Sequence, residues 1–255
     1  MSEAFEIYNE NGSFPLLLVC EHASNYVPSR YNGLGLDEDL LQSHIAWDPG
    51  ARQVALKLAD MLDCPLVAAG MSRLLYDCNR PPEAKDSIPV LSEIYPIPGN
   101  VDLTSEEKNW RIENIYQPFH SAVENTFSKL ENTDIVPSMV TIHSFTPVYK
   151  GEKRKVEIGI LHDSDTALAD HILDASSDFE DLVIARNEPY SPTDGVTHSL
   201  KLHGLNKGRR NVMFEIRNDL ISNENKAADM AARLAPMIKN AVLNQSSHKK
   251  PGEDV

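Results

Sequence analysis

The chain has 255 residues, 41% hydrophobic and 24% charged, the composition of a globular protein with room for a sizeable core. Its 38 acidic and 24 basic residues give a formal net charge of −14, which repels a phosphate backbone and anionic lipid heads and argues against nucleic acid or a membrane surface as partner. An anionic substrate is repelled at long range too, so a site for one needs its own arginines.

The opening residues show neither a basic n-region nor an apolar h-region, and no apolar run approaches the roughly 18 residues of a membrane span; a cytoplasmic location is expected. No Gly/Ser-rich or Pro-rich linker divides the sequence, so residues 1–255 read as one domain with a fraying tail at 245–255. Cys20, Cys64 and Cys78 are widely spaced and form no C-x-x-C pair, so they read as buried thiols rather than a disulfide framework or a zinc knuckle. Nothing in the sequence fixes the oligomeric state.

In chain order, "PLLLVC" (15–20) is a continuous apolar run of strand length, the pattern of a strand covered on both faces. "DPGARQVALKLADMLD" (48–63) has apolar residues at helical spacing, with Asp48 placed as N-cap and Pro49 at the first helical position. "CPLVAAG" (64–70) and "SRLLYDC" (72–78) read as the next two strands. A long amphipathic helix follows over 104–130, opened by a capping box of Thr104 and Glu107 and bent near Pro118. "SMVTIHS" (138–144) and "VEIGILHD" (156–163) are strands, 165–176 a helix, "DLVIAR" (181–186) and "NVMFEIR" (211–217) strands, and 225–243 a C-terminal helix. This alternation predicts a three-layer α/β fold with a mixed, mostly parallel central sheet flanked by helices. In such sheets chemistry collects beyond the carboxyl ends of the strands.

Three apolar strands end there in reactive residues. One delivers Glu21 and His22, one His143 and Ser144, one Glu215 and Arg217. Two histidines from different strands plus a carboxylate make a three-ligand site with an open position, the arrangement of catalytic zinc. Asp48 is the candidate third ligand and Glu21 its reserve. Glu215 and Arg217 share one strand face, as either a structural ion pair or catalytic groups, Glu215 then as general base. Arg80 and Arg217 are candidates for a carboxylate or oxyanion clamp, with Asn79 beside them. His198 and His203 stand an odd number apart, so on a strand only one reaches the site; His44, His120 and His171 sit on helical patterns where core or surface roles dominate. The dinucleotide-binding glycine fingerprint, the P-loop and the G-x-S-x-G elbow are all missing.

The blocks "CEHASNYVP", "HIAWDPGA", "SRLLYDCNRPP", "TIHSFTPVY" and "NVMFEIRNDL", in this order, resemble the N-formylglutamate amidohydrolase family from about Leu16 to about Leu220. The resemblance implies a phosphorylase/hydrolase-like fold related to zinc carboxypeptidases, and metal-dependent cleavage of N-formyl-L-glutamate to formate and glutamate, a step of histidine breakdown. It implies His22 and His143 as metal ligands with Asp48, Glu215 as the catalytic residue, and Asn79, Arg80, Ser144 and Arg217 as substrate-binding groups, with zinc or another divalent metal as cofactor and a small anionic N-acyl amino acid as partner; His203 is a further substrate-binding candidate. "EHAS" stands where better-known members have Pro-His-Ser-Gly, the mark of a divergent branch. A zinc deacylase or carboxypeptidase-like hydrolase acting on another N-acyl amino acid, or a non-catalytic protein binding an acidic metabolite, are the alternatives.

Overall fold

The structure is a computed structural model that describes residues 3–131, 136–176 and 179–244. The tail expected to fray, 245–255, lies outside the described residues. The fold is α/β. In chain order its strands are β1 (Phe5–Tyr8), β2 (Leu16–Cys20), β3 (Leu66–Ala69), β4 (Leu91–Ser92), β5 (Tyr95–Pro96), β6 (Ser138–Phe145), β7 (Val148–Tyr149), β8 (Glu152–Lys153), β9 (Ile158–Leu161), β10 (Ile184–Arg186) and β11 (Asn211–Arg217). The helices are α1 (Glu38–Gln42), α2 (Ala51–Leu62), α3 (Ser105–Arg111), α4 (Gln117–Leu130), α5 (Ala167–Ala175) and α6 (Glu224–Asn244). Seven strands form the central sheet in the order β1-β3-β2-β6-β11-β9-β10, and β4-β5 and β7-β8 are small hairpins.

The middle four strands, β3, β2, β6 and β11, run parallel, while β1 joins antiparallel at one edge and β9 pairs antiparallel with β11 on the other side. The parallel block is buried on both faces, as its unbroken apolar runs require. Strand alternation divides the core. Leu16, Leu18, Val140, Ile142, Val212, Phe214 and Ile216 face the layer formed by α2, α5 and α6. Leu17, Val19 and Met139 face α4, which presents Phe119, Ala122, Val123 and Phe127.

The same alternation aligns a polar row at the carboxyl ends. On β11 Glu215 stands opposite His143 of β6 and opposite Gly159 of β9. On β2 and β6, Leu17 faces Met139 and Val19 faces Thr141, so the next step of the pleat brings Glu21 level with His143. Glu21, His143 and Glu215 therefore project from one face, the α4 face, in a single line across three parallel strands. No helix among the described residues is long and apolar enough to cross a membrane.

Several sequence expectations need correction. β1, an edge strand, falls in the opening stretch, where no strand was expected, and its alternation is too short to stand out. The segment 72–78 is not a strand but a series of turns. Its apolar residues Leu74, Leu75, Tyr76 and Cys78 are buried, as in a strand, yet its carbonyls are satisfied from the side: Asn100 Nδ2 donates to Leu74 O at 2.8 Å and Arg111 Nη1 to Leu75 O at 3.1 Å. A buried apolar run does not by itself distinguish the two. The long helix is interrupted by a π-helical turn at Ile112–Tyr116, just ahead of Pro118, and Thr104 caps α3 by accepting from Glu107 N. His198 and His203 lie on a helical segment, not a strand; its π-helical turn spans Leu200–Gly204.

Asp48 is not the N-cap of α2. That position belongs to Gly50, at φ 84°, where an added Cβ would lie 2.4 Å from the Ile221 carbonyl. Only glycine accepts both the left-handed backbone and this approach. Asp48 is thereby released from capping and turned toward the strand tips. Gly50→Ala is expected to cost about 2 kcal/mol or more and to lower the melting temperature by roughly 4–8 °C in calorimetry, and an unchanged melting temperature would contradict this account of the turn.

Candidate active site

Three side chains converge beyond the carboxyl ends of β2 and β6. His22 Nδ1 lies 3.3 Å from Asp48 Oδ2, His143 Nδ1 lies 3.0 Å from the same oxygen, and the two ring nitrogens are 3.2 Å apart. Asp48 is fixed by its backbone N–H donating to His22 O and by Ser144 N–H donating to Oδ2. A tetrahedral cation with ligand bonds of roughly 2.0–2.1 Å separates its donors by about 3.3 Å, so this triangle has the dimensions of one face of such a site. Two imidazole nitrogens pointing at each other over a shared carboxylate oxygen are a donor set for a metal ion, and these three residues form the one cluster of metal-ligand geometry among the described residues.

The outer ring nitrogens are engaged as well. His22 Nε2 donates to Asp77 Oδ1 at 2.7 Å, and His143 Nε2 is 3.0 Å from Glu21 Oε2, a close ion contact without the alignment of a hydrogen bond. A carboxylate behind each imidazole orients the ring and raises its basicity as a ligand. Glu21 thus stands behind His143, and Asp48 Oδ2 stands against both inner ring nitrogens.

The site gathers buried carboxylates around the two imidazoles. Glu21, Asp48, Asp77 and Glu215 are all buried, and the arginine that reaches into the group is Arg73, 2.7 Å from Asp77 Oδ2 and 3.5 Å from Asp48 Oδ1. Burial opposes ionisation of Asp48 and Asp77, but His22 and His143 outweigh it for Asp48, and His22 and Arg73 for Asp77, holding both well below the usual carboxylate range. Glu21 is brought down to about 2 in the same way, its burial overcome by His143. Burial pulls the His143 ring down, yet Glu21 and Asp48 hold it well above an ordinary histidine. Glu215 is the exception: desolvation dominates and raises it to about 7. Its Oε2, both oxygens of Glu21 and His143 Nε2 are buried without hydrogen-bond partners. A divalent cation fits the donor triangle of His22 Nδ1, His143 Nδ1 and Asp48 Oδ2.

Residues 14–222 match the family model of N-formylglutamate amidohydrolase. The chain belongs to this family. It is similar to the crystal structure of a gene product of Agrobacterium tumefaciens, with a TM-score of 0.92 and 48% identity over 96% of this chain and 97% of that one. It also shares its fold with the N-formylglutamate amidohydrolase of Ralstonia eutropha, with a TM-score of 0.60 and 18% identity over 97% and 98% of the two chains. No match was found among curated protein sequences. The family makes the chain a hydrolase of the N-formylglutamate amidohydrolase type.

The remaining sequence candidates take up varied positions. Asn79 bridges the 72–80 segment to the 195–200 segment, donating to Val196 O at 2.6 Å and accepting from Ser199 N at 3.0 Å. Arg80 pairs with Asp86 and donates to the carbonyls of Asn79 and Gly195. Arg217 pairs with Glu157 and Asp219, and Ser144 Oγ donates to Pro49 O. His203 is buried between Glu124 and His120, and His120 Nε2 in turn donates to the Cys78 carbonyl. Burial and the neighbouring His203 lower His120 to about 3, so it stays neutral in this chain of contacts.

Arg73 is the site residue that the sequence reading passed over. Its signal was the four-residue spacing to Asp77, hidden because 72–78 looked like a strand, on which positions four apart lie too far from each other to pair. Because Asp77 holds both His22 and Arg73, Asp77→Ala is expected to destabilise the fold by about 3 kcal/mol. Equilibrium denaturation reads this directly, and a cost below about 1 kcal/mol would show the contacts to be incidental.

Proposed function

We propose that the protein is a metal-dependent amidohydrolase that cleaves an N-acyl acidic amino acid, N-formyl-L-glutamate above all, to the acid and the amino acid. The observation that carries the metal is the triangle of His22 Nδ1, His143 Nδ1 and Asp48 Oδ2, backed by Asp77 and Glu21. The family supports the amide substrate. Zinc suits the donor set, two imidazoles and one carboxylate. When bound, the cation supplies a Lewis acid for the amide carbonyl and lowers the pKa of water.

The protein's own residues do the rest. Glu215 holds a buried Oε2 in line with His143, on the face where the scissile bond would lie, and its elevated pKa of about 7 suits a group that must both take and return a proton near neutrality. It takes a proton from the attacking water and returns it to the amide nitrogen as the C–N bond breaks. Arg73 counters the charge of Asp48 and Asp77 and offers a guanidinium toward the developing oxyanion. Asn79, Ser144 and His203 serve by holding the segments that carry Asp77 and Asp48. Arg80 and Arg217 border the substrate side, each with an acid already in its fork. The reaction is that of a small-molecule enzyme, and the cytoplasm is its expected place.

Purified protein should carry close to one divalent ion per chain by elemental analysis. Chelation should lower the melting temperature by several degrees, with zinc restoring it, because a ligand that binds only the folded state stabilises it by mass action. His143→Ala should lose the ion. Glu215→Gln should keep ion and fold while formate release from N-formyl-L-glutamate drops by about 10²–10⁴-fold. A folded wild type that binds no divalent ion, or full turnover by Glu215→Gln, would refute the assignment.

A further inference from the structure

We infer that Arg154, held by Tyr190 beside Glu215, is the specificity-determining residue that receives a free carboxylate of the substrate. This deepens the amidohydrolase reading and rests on it. Gly159 of β9 stands opposite Glu215 in the sheet, and an added Cβ there would lie 1.9 Å from Glu188 O. The missing side chain lets the 187–190 segment cross the sheet face next to the general base. Tyr190 follows at once, packed on Leu161, Leu200 and Met213, and its hydroxyl falls within electrostatic reach of both Glu215 and Arg73.

Arg154 Nη1 donates to the Tyr190 hydroxyl at 2.9 Å. Its guanidinium carbon lies 4.6 Å from the Tyr149 ring centre, 4.9 Å from Tyr190 and 5.3 Å from Phe145, a cage of three rings. Phe145 is two residues beyond His143 on the same strand, so the cage begins at the metal-ligand strand itself. The other arginines near the site are each paired with acids: Arg73 with Asp48 and Asp77, Arg80 with Asp86, Arg217 with Glu157 and Asp219. Among the described residues no acid lies within ion-pair distance of Arg154. A half-buried guanidinium oriented by aromatic faces, with donors to spare and no protein carboxylate, is built to take a carboxylate from outside in bidentate geometry. Its cage reaches from Phe145 on the His143 strand to Tyr190, which packs on Leu161 and Met213 of the neighbouring strands, so an amide lying over His143 and Glu215 would have its acidic end within reach of it. The chemical class that fits is an N-acyl amino acid with an ionised carboxylate, and Arg154 in part offsets the net charge of −14 that would repel it.

The test compares zinc-loaded wild type with Arg154→Gln on N-formyl-L-glutamate and on its α- and side-chain monoamides. The variant should raise KM for the diacid by roughly ten- to a hundredfold with kcat changed less than about threefold, and should lose the wild type's preference for the diacid over one monoamide. Tyr190→Phe, which keeps the ring, should raise KM more modestly; it provides the reading if Arg154→Gln fails to fold. Equal loss on all three substrates, or no change in KM, would overturn the inference while leaving the hydrolase assignment standing. If the wild type hydrolyses none of them, calorimetric binding of glutarate decides: at least tenfold weaker binding to Arg154→Gln supports the carboxylate site although the hydrolase reading has failed, and equal or absent binding overturns it.

Discussion

The structure depends on the burial of four carboxylates, Glu21, Asp48, Asp77 and Glu215, around two imidazoles with a single arginine among them. Buried charge is expensive unless it is paired, and this set is paired only in part. Each element around it satisfies some of the need. The parallel strands β2, β6 and β11 bring Glu21, His143 and Glu215 into one row, Gly50 swings Asp48 across to meet both histidines, and the turns of 72–78 return Arg73 and Asp77 beneath His22. At the centre the two inner ring nitrogens face each other across 3.2 Å over one carboxylate oxygen, a donor set with the spacing to hold a dication.

The two sides of the row have different characters. Toward β2 the groups are committed: Glu21 to His143, Asp77 to His22, and the Asn79 bridge and the His203–His120 contacts to the backbone of their neighbours. Toward β9 the 187–190 segment covers Gly159, and Tyr190, Phe145 and Tyr149 surround Arg154, which has no ion-paired acid among the described residues. On the proposed reading, the first half holds the reactive groups and the second meets the acidic end of a small amide.

Much of this was legible in the sequence, for definite reasons. The runs "LLLVC", "MVTIH" and "VMFEI" mark strands buried on both faces, and their abrupt polar ends mark the carboxyl edge, so the parallel block and the family could be read from them together. The pairing of His22 with His143 followed from the same edge. The segment 72–78 did not follow, because buried turns whose carbonyls are served by Asn100 and Arg111 carry the same apolar signature as a strand. With it went Arg73. Asp-Pro opens many helices, so the sequence offers Asp48 both as a cap and as a ligand; the close approach of Ile221 to Gly50 moves the cap two residues on and leaves Asp48 facing the histidines. The register of β2 and β6 sets Glu21 behind the outer nitrogen of His143. Arg154 and Tyr190 come from loops, where no periodicity announces a partner.

The central claim, that two imidazoles and Asp48 share one cation, is tested most directly by X-ray absorption at the zinc edge of the metal-loaded protein. The account predicts a first shell of about four nitrogen and oxygen donors near roughly 2.0 Å, with outer-shell scattering from two imidazole rings. A shell containing sulfur near roughly 2.3 Å, or one without imidazole scattering, would contradict it.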